Sequence, residues 1–224
     1  MSPRKEYKPT PEPTIRRLPR YLHFLSRLND EGIMEVSSSM IAEELSLDAT
    51  QVRKDIEYTK LIGKPRTGFN TLELIKAIER FLNWDNSTDA FLAGVGNLGG
   101  AIIGYKNFSN YGLNIVAAFD TDPKKIGKTF NGISVLNIKK MTDLAIRMHI
   151  HIGIITVPAN KANKVAEQMI EGGIKAIWNF APTQIKVPNG IIVENAQLST
   201  NLSVLKRKLV ETLQLENQNS EDKK

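Results

Sequence analysis

At 224 residues, with 41% hydrophobic and 24% charged residues, the chain has the composition of a soluble globular protein of one or two domains, and no apolar run approaches the roughly 18 residues of a membrane span. It contains no cysteine, which excludes disulfides, thiolate nucleophiles, cysteine zinc sites and thiol redox sensing, so any redox role has to run through a bound molecule. A net charge of +6 and a pI near 9.4 point weakly to a polyanionic partner, and the opening "MSPRKEYKPTPEPTIRRLPRY" lacks the apolar core of a secretory signal, so a cytoplasmic location is expected.

The positive charge is local. Arg4, Lys5, Lys8, Arg16, Arg17 and Arg20 form one cluster and Arg53, Lys54, Lys60, Lys64 and Arg66 another, with an acidic stretch between them. "KPTPEPT" reads as a proline-spaced arm feeding an amphipathic helix over 15–30, with Leu18, Tyr21, Leu22, Leu25 and Leu28 at helical spacing and Pro19 near the first turn. A short helix over 39–45 follows the Ser37-Ser38-Ser39 cap region, "SLDAT" turns the chain, and a third helix is predicted over 50–61. "IGKPRTGFN" reads as a tight loop or β-wing, and Asn70 with Glu73 resembles a capping box opening a fourth helix through Leu82. This is the layout of a winged helix-turn-helix. On the third helix Val52, Ile56 and Thr59 share an inward face, while Thr50, Gln51, Lys54 and Tyr58 point the other way with Arg53 at the edge. Such residues either read base edges and grip phosphates or form a solvated polar face. Lys64 and Arg66 of the wing and Arg4, Lys5 and Lys8 of the arm are placed to meet backbone or minor groove.

From Asp89 the periodicity changes. "DAFLAG", "LNIVAAF", "IHIGIITV", "IKAIWNF" and "GIIVEN" are short, nearly continuous apolar runs alternating with helical stretches, the signature of a parallel sheet covered on both faces. The expected class is therefore α/β: a helical domain over 1–85, a doubly wound parallel-sheet domain over 86–200 after the "NWDNST" linker, an amphipathic helix over 201–215 and a disordered tail over 216–224.

At the end of the first run stands "GVGNLG", Gly94-Val95-Gly96-Asn97-Leu98-Gly99, between a strand and a helix. In that position Gly94 permits the turn, Gly96 lets backbone approach a pyrophosphate, and Gly99 lets the helix pack on the strand. The helix start offers free N–H groups to the phosphates. Asp120, about twenty residues further on, ends the next strand, where a carboxylate can accept from both ribose hydroxyls. That favours NAD over NADP, although Lys124 and Lys125 argue the opposite. Thr156-Val157-Pro158 and Asn179-Phe180-Ala181 lie at later strand ends and line the same crevice by the switch-point rule, unless they merely terminate strands. No catalytic residue and no metal site is assigned. Hydride transfer needs a proton donor beside the nicotinamide, but His149 and His151 fall at the far end of a strand, His23 lies in the first helix, and Tyr105 is as well suited to packing. Nucleotide binding without turnover is the better reading.

Taken together, "RRLPRYL", "VRKD" with Tyr58, "GVGNLG", "AAFDTDPKKIG", "TVPA", "NFAP", "VPNGIIVEN" and the last helix resemble the Rex family of redox-sensing transcriptional repressors over nearly the whole chain. The resemblance implies a homodimer with winged-helix domains on an inverted-repeat operator, Rossmann-type domains that sense NADH against NAD+, and a C-terminal helix exchanged between subunits. NADH would close the dimer and release DNA. Through those motifs Thr121 joins the cofactor set, and Arg17, Ser38 and Ser39 join the DNA-contacting set. The sequence departs from the family at the interdomain switch, where His23 and Gln197 stand in place of an Arg and an Asp while Tyr105 is kept. Glu57, Thr59, Lys60 and "KPRTGF" also differ, so both weakened coupling and an altered operator are expected. Two other readings remain: an NAD-dependent oxidoreductase with an appended DNA-binding domain, and a repressor sensing another nucleotide such as coenzyme A.

Overall fold

A computed structural model describes residues 9–196 and 198–221. They form two compact units, one up to Ser87 together with Ser109–Gly112, the other Thr88–Phe108 together with the chain from Leu113 onward.

In the first unit α1 (Glu12–Asp30) buries Leu18, Tyr21, Leu22, Leu25 and Leu28 along one stripe. It starts three residues before the predicted point, so Pro19 stands in the helix interior and removes one rung of the hydrogen-bond ladder. α2 (Ser38–Leu45) is capped by Ser37, whose hydroxyl accepts from the Met40 N–H at 3.1 Å. α3 (Ala49–Glu57) is capped by Asp48, which accepts from the Gln51 N–H at 2.9 Å. α3 ends four residues short of the predicted Leu61. The Thr59 hydroxyl captures the Ile56 carbonyl at 2.7 Å, and Lys60 turns left-handed at φ 63°. α4 (Thr71–Phe81) begins behind Asn70, which accepts from the Glu73 N–H at 3.0 Å. The wing is a two-stranded ribbon, β1 (Glu35–Val36) antiparallel to β2 (Phe69–Asn70), with Lys64 and Gly68 exchanging backbone bonds at the loop neck. Gly68 sits at φ +94° with the Val36 carbonyl where a Cβ would lie, so no other residue fits.

The second unit is a seven-stranded sheet in the order β5-β6-β4-β3-β7-β8-β9. Its parallel strands are β3 (Thr88–Ala93), β4 (Leu113–Asp120), β6 (Ile133–Asn137), β7 (Ile152–Ile155), β8 (Ala176–Asn179) and β9 (Ile192–Asn195), and β5 (Thr129–Phe130) adds an antiparallel edge. On β3, Phe91 and Ala93 enter one core with α6 (Met141–Met148) and α7 (Ala159–Glu171), while Ala90 and Leu92 enter another with Ile102 of α5 (Asn97–Gly104). Burial on both faces is why the apolar runs are continuous. The sequence pattern does not reveal β5 and β6. On β6 only Val135 is buried, so no apolar run marks it. α5 ends at Gly104, and a 3-10 turn, Lys106–Tyr111, follows.

The last helix, α8 (Leu198–Glu221), begins before and ends beyond the predicted span. It runs through the predicted disordered tail as far as Glu221, because residues 216–221 contain neither glycine nor proline to stop it. Leu202, Leu205, Leu209 and Leu213 are 48–65% exposed along it. Among the described residues no helix is long and apolar enough to cross a membrane.

Candidate functional site

The strand order reverses between β4 and β7 on either side of β3, and that switch point opens a crevice at the carboxyl ends of the strands. A cleft of about 580 Å³ there is lined by Gly94, Gly96, Asp120, Thr121, Thr156, Val157 and Pro158 of the expected set. The glycines divide the work. Gly94 takes φ +100°, and a Cβ on it would lie 2.8 Å from the Thr156 carbonyl oxygen; a Cβ on Gly99 would run into the Gly94 carbonyl. Gly96 has nothing within 4 Å of its missing Cβ and stands at the N-cap of α5 without a side-chain cap. The turn is pinned from below by the Thr156 hydroxyl, which donates within reach of both the Ala93 (3.0 Å) and Gly94 (2.7 Å) carbonyls. An open glycine at an uncapped helix start fits the pyrophosphate of a dinucleotide. Asn97 and Leu98 form the first turn of α5 and do not line the cleft.

Asp120 is where the expectation needs correcting. Its carboxylate is already occupied: Oδ2 accepts from the Val95 N–H (2.8 Å) and Lys125 Nζ (3.1 Å), and Oδ1 accepts from the N–H groups of Thr121 (2.7 Å) and Asp122 (2.9 Å). Burial works against its charge, but the Asp122 and Val95 amides and the Lys125 ammonium outweigh that and hold it below the usual carboxylate range. Asp120 therefore braces the glycine turn, and a ribose reaches it only by taking the place of Lys125, whose side chain is 31% exposed. Lys125, not Lys124, is the lysine of the cleft, and Lys139, Lys161 and Lys164 line it as well. Lys139 stands in a 3-10 turn before α6, and Lys161 and Lys164 lie one turn apart on α7, where no motif marks them in the sequence.

The second loop pair forms a neighbouring cleft of about 440 Å³ with Asn179, Phe180, Ala181, Asn195, Ser199 and Thr200. Asn179 is buried and spent on the loop itself: its amide donates to the Thr183 carbonyl (2.7 Å) and Asn195 Oδ1 (2.8 Å) and accepts from the Ala181 N–H (3.1 Å). Tyr105, 46% exposed, stands edge-on to Phe108 at 4.8 Å, and the ring contacts continue through Trp178 at 5.6 Å to Phe180 at 4.7 Å. His149 and His151 sit at the amino end of β7, away from this crevice, and among the described residues no group of His, Asp and Glu could hold a metal ion.

In the first unit Thr50, Arg53 and Lys54 are exposed on α3, and Ser39, Lys64 and Arg66 are exposed around a cleft of about 500 Å³ shared with Arg53. Ser38 is nearly buried, and Tyr58 leans on Phe81 with ring centres 6.4 Å apart. Arg17 and Gln51, expected to face DNA, turn inward to a residue that pattern reading passed over. Asp55, fully buried, receives Arg17 Nε (2.6 Å) and Nη2 (2.8 Å), the Tyr21 hydroxyl (2.7 Å), the Thr14 hydroxyl (2.9 Å) and the Gln51 amide (3.0 Å). Burial opposes its charge, yet the bonds from Arg17, Tyr21, Thr14 and Gln51 hold it below the carboxylate range; burial and the same carboxylate push the Tyr21 hydroxyl up. Spacing could have shown this, since Val52, Asp55 and Ile56 share one helical face and Thr14, Arg17 and Tyr21 another. Arg4, Lys5, Lys8 and Gln197 lie outside the described residues, and His23 is exposed on α1.

Comparison with known proteins extends these two sites to the whole chain. Residues 10–56 match a family described as a putative DNA-binding protein N-terminus, and residues 85–183 match the CoA binding domain family. The redox-sensing transcriptional repressor Rex of Bacteroides fragilis is 42% identical over 92% of this chain and 93% of its own. That of Treponema denticola is 41% identical over 86% and 92%. Among solved structures, the Rex-family repressor RSP in complex with β-NAD+ and operator DNA superposes with a TM-score of 0.87 at 32% identity, over 96% of this chain and 99% of that one. RSP with β-NADH gives 0.84 over 94% and 99%. A glycine turn built for a dinucleotide, a winged helix with a cationic outer face and end-to-end similarity to these repressors agree: the chain belongs to the Rex family of redox-sensing transcriptional repressors, regulators rather than enzymes.

Proposed function

We propose that the chain is a homodimeric cytoplasmic repressor that holds an inverted-repeat operator through α3 and the wing and is released when NADH fills the crevice above β3. The observation that carries this reading is the bare Gly96 at the uncapped start of α5, braced by Asp120 and Thr156. Similarity to RSP, whose structures contain β-NAD+ with operator DNA and β-NADH, supports both halves. The exposed leucine stripe of α8 supports a second copy as its cover. DNA contact falls to Thr50, Arg53, Lys54, Ser39, Lys64 and Arg66, with Arg17 and Gln51 acting from behind.

The test titrates NADH, NAD+, NADPH and coenzyme A into the protein alone and into its complex with an inverted-repeat duplex. NADH is expected to lower operator affinity and NAD+ to preserve it. Tight nucleotide binding with no change in DNA affinity would break the mechanism at its central link. A coenzyme A sensor is the second reading, favoured by the match of 85–183 to the CoA binding domain and by four lysines in one cleft, which suit a ligand with an extra phosphate. Binding and DNA release by coenzyme A but not NADH would establish it.

A further inference from the structure

The outer stripe of α3 is not purely cationic. Thr50, Arg53, Lys54 and Glu57 follow one another at i, i+3, i+4 and i+7, all four are exposed, and the opposite face carries the buried Val52, Asp55 and Ile56. Glu57 also lines the 500 Å³ cleft with Arg53, Lys64 and Arg66. Among the described residues no ion pair involves it. A carboxylate carried on the stripe that approaches a duplex is repelled by every phosphate it meets. Phosphate oxygens offer it no hydrogen, so the donors it can meet on the duplex are those of the base edges. In the major groove guanine offers two acceptors and thymine one, adenine sets its N6 amino group beside the lone pair of N7, and cytosine alone presents N4–H without a neighbouring acceptor.

We propose that Glu57 is a specificity-determining residue that accepts a hydrogen bond from the N4 amino group of a cytosine in each operator half-site. The assignment rests on α3 being the DNA-reading helix. Arg53 and Lys54, one turn earlier, supply phosphate or guanine contacts on the same stripe, so the carboxylate fixes one base pair while its neighbours hold the duplex.

The experiment selects sequences from a randomised inverted-repeat duplex pool with the full-length protein, Glu57→Ala and Glu57→Gln, alongside circular dichroism to verify folding. Wild type should enrich cytosine at one symmetry-related pair of positions by roughly ten- to a hundredfold over the other bases. Glu57→Ala should lose that preference and no other, and Glu57→Gln should shift it to adenine, whose N6 and N7 match a carboxamide. If Glu57→Ala keeps every preference of the wild type, or merely binds all sequences more tightly, Glu57 only repels phosphate and the proposal is overturned. A wild-type protein that enriches no sequence overturns the DNA-reading role of α3 itself, and this assignment with it.

Discussion

Among the described residues each unit buries one carboxylate, Asp55 in the first and Asp120 in the second, and the two are held in different ways. Asp55 draws its donors from side chains, three of them on another helix, 34 to 41 residues away in sequence. Asp120 draws three of its four from backbone amides, two of them within two residues, and only Lys125 from a side chain. The first arrangement locks α3 to α1, so the helix proposed to read DNA has a fixed orientation. The second shapes a loop and leaves one replaceable partner. A recognition element works best when it is held rigidly by its supporting shell, as α3 is here, whereas at Asp120 the backbone donors are fixed and Lys125 alone can be exchanged.

Replacing Arg17 by Met tests the lock most severely. It leaves Asp55 buried without its countercharge, a situation that costs several kcal/mol, and we expect about 3 kcal/mol in urea unfolding of the first unit because the Arg17 side chain keeps 20% exposure. Operator affinity should fall with it. Because Asp55 is held below the usual carboxylate range, its stabilisation is complete above that range and drains away as the pH falls below about 4 through the folded value. Asp55→Asn should flatten this acid limb. A loss under about 0.5 kcal/mol in Arg17→Met would show that the Tyr21 and Thr14 hydroxyls and the apolar face hold α3 without the Arg17 ion pair.

At the second carboxylate the expected effect is smaller. Asp120→Asn removes the charge that braces the Val95 amide and should weaken NADH binding by roughly tenfold or more, a hydrogen bond to a charged group being worth about 1.5–3 kcal/mol. Lys125→Ala should change affinity by less than about fivefold, because its partly exposed ion pair is worth under about 1 kcal/mol. Fluorescence titration separates them. Equal losses would mean that Lys125 itself touches the ligand.

How far these two sites were legible in the sequence follows the same contrast. The glycine turn and Asp120 were readable because they lie within a short stretch of chain and their spacing is dictated by a strand, a turn and a helix. Occupation of Asp120 by the amides of its own loop was not, since backbone donors leave no trace in residue identity. The parallel sheet was legible from its continuous central strands, but the half-exposed β6 was not. Asp55 shares the inward face of Val52 and Ile56 in its spacing, but a lone carboxylate there gains a role only with its partners on α1 in view. The lysines of the cleft come from separate elements that only folding brings together.

Gly96 sharpens the difference between a residue that shapes a loop and one that faces a ligand. With nothing within 4 Å of its missing Cβ and no positive φ, Gly96→Ala should leave stability within about 0.5 kcal/mol. It should nonetheless lower NADH affinity about tenfold, by holding the pyrophosphate off the backbone. Gly99→Ala meets the Gly94 carbonyl and should lose stability and binding together. If Gly96→Ala binds NADH as tightly as wild type, the phosphates do not pass over this turn.

The smallest effect is expected where a signal has to pass from one site to the other. His23 is exposed on α1 and stands, like Gln197, where the family resemblance places one half of an Arg–Asp pair. A neutral contact is worth about half a charge-assisted one, so of the 1–3 kcal/mol typical of allosteric coupling only a fraction, under about 1 kcal/mol, should run through these two positions. His23→Ala should therefore change the ratio of operator affinities with and without saturating NADH by less than about fivefold. His23→Arg combined with Gln197→Asp should raise that ratio. If wild type already shows a large NADH-driven loss of operator affinity and His23→Ala retains it, coupling runs by another route, and the Lys125 that a ribose must displace from Asp120 becomes the place to look for it.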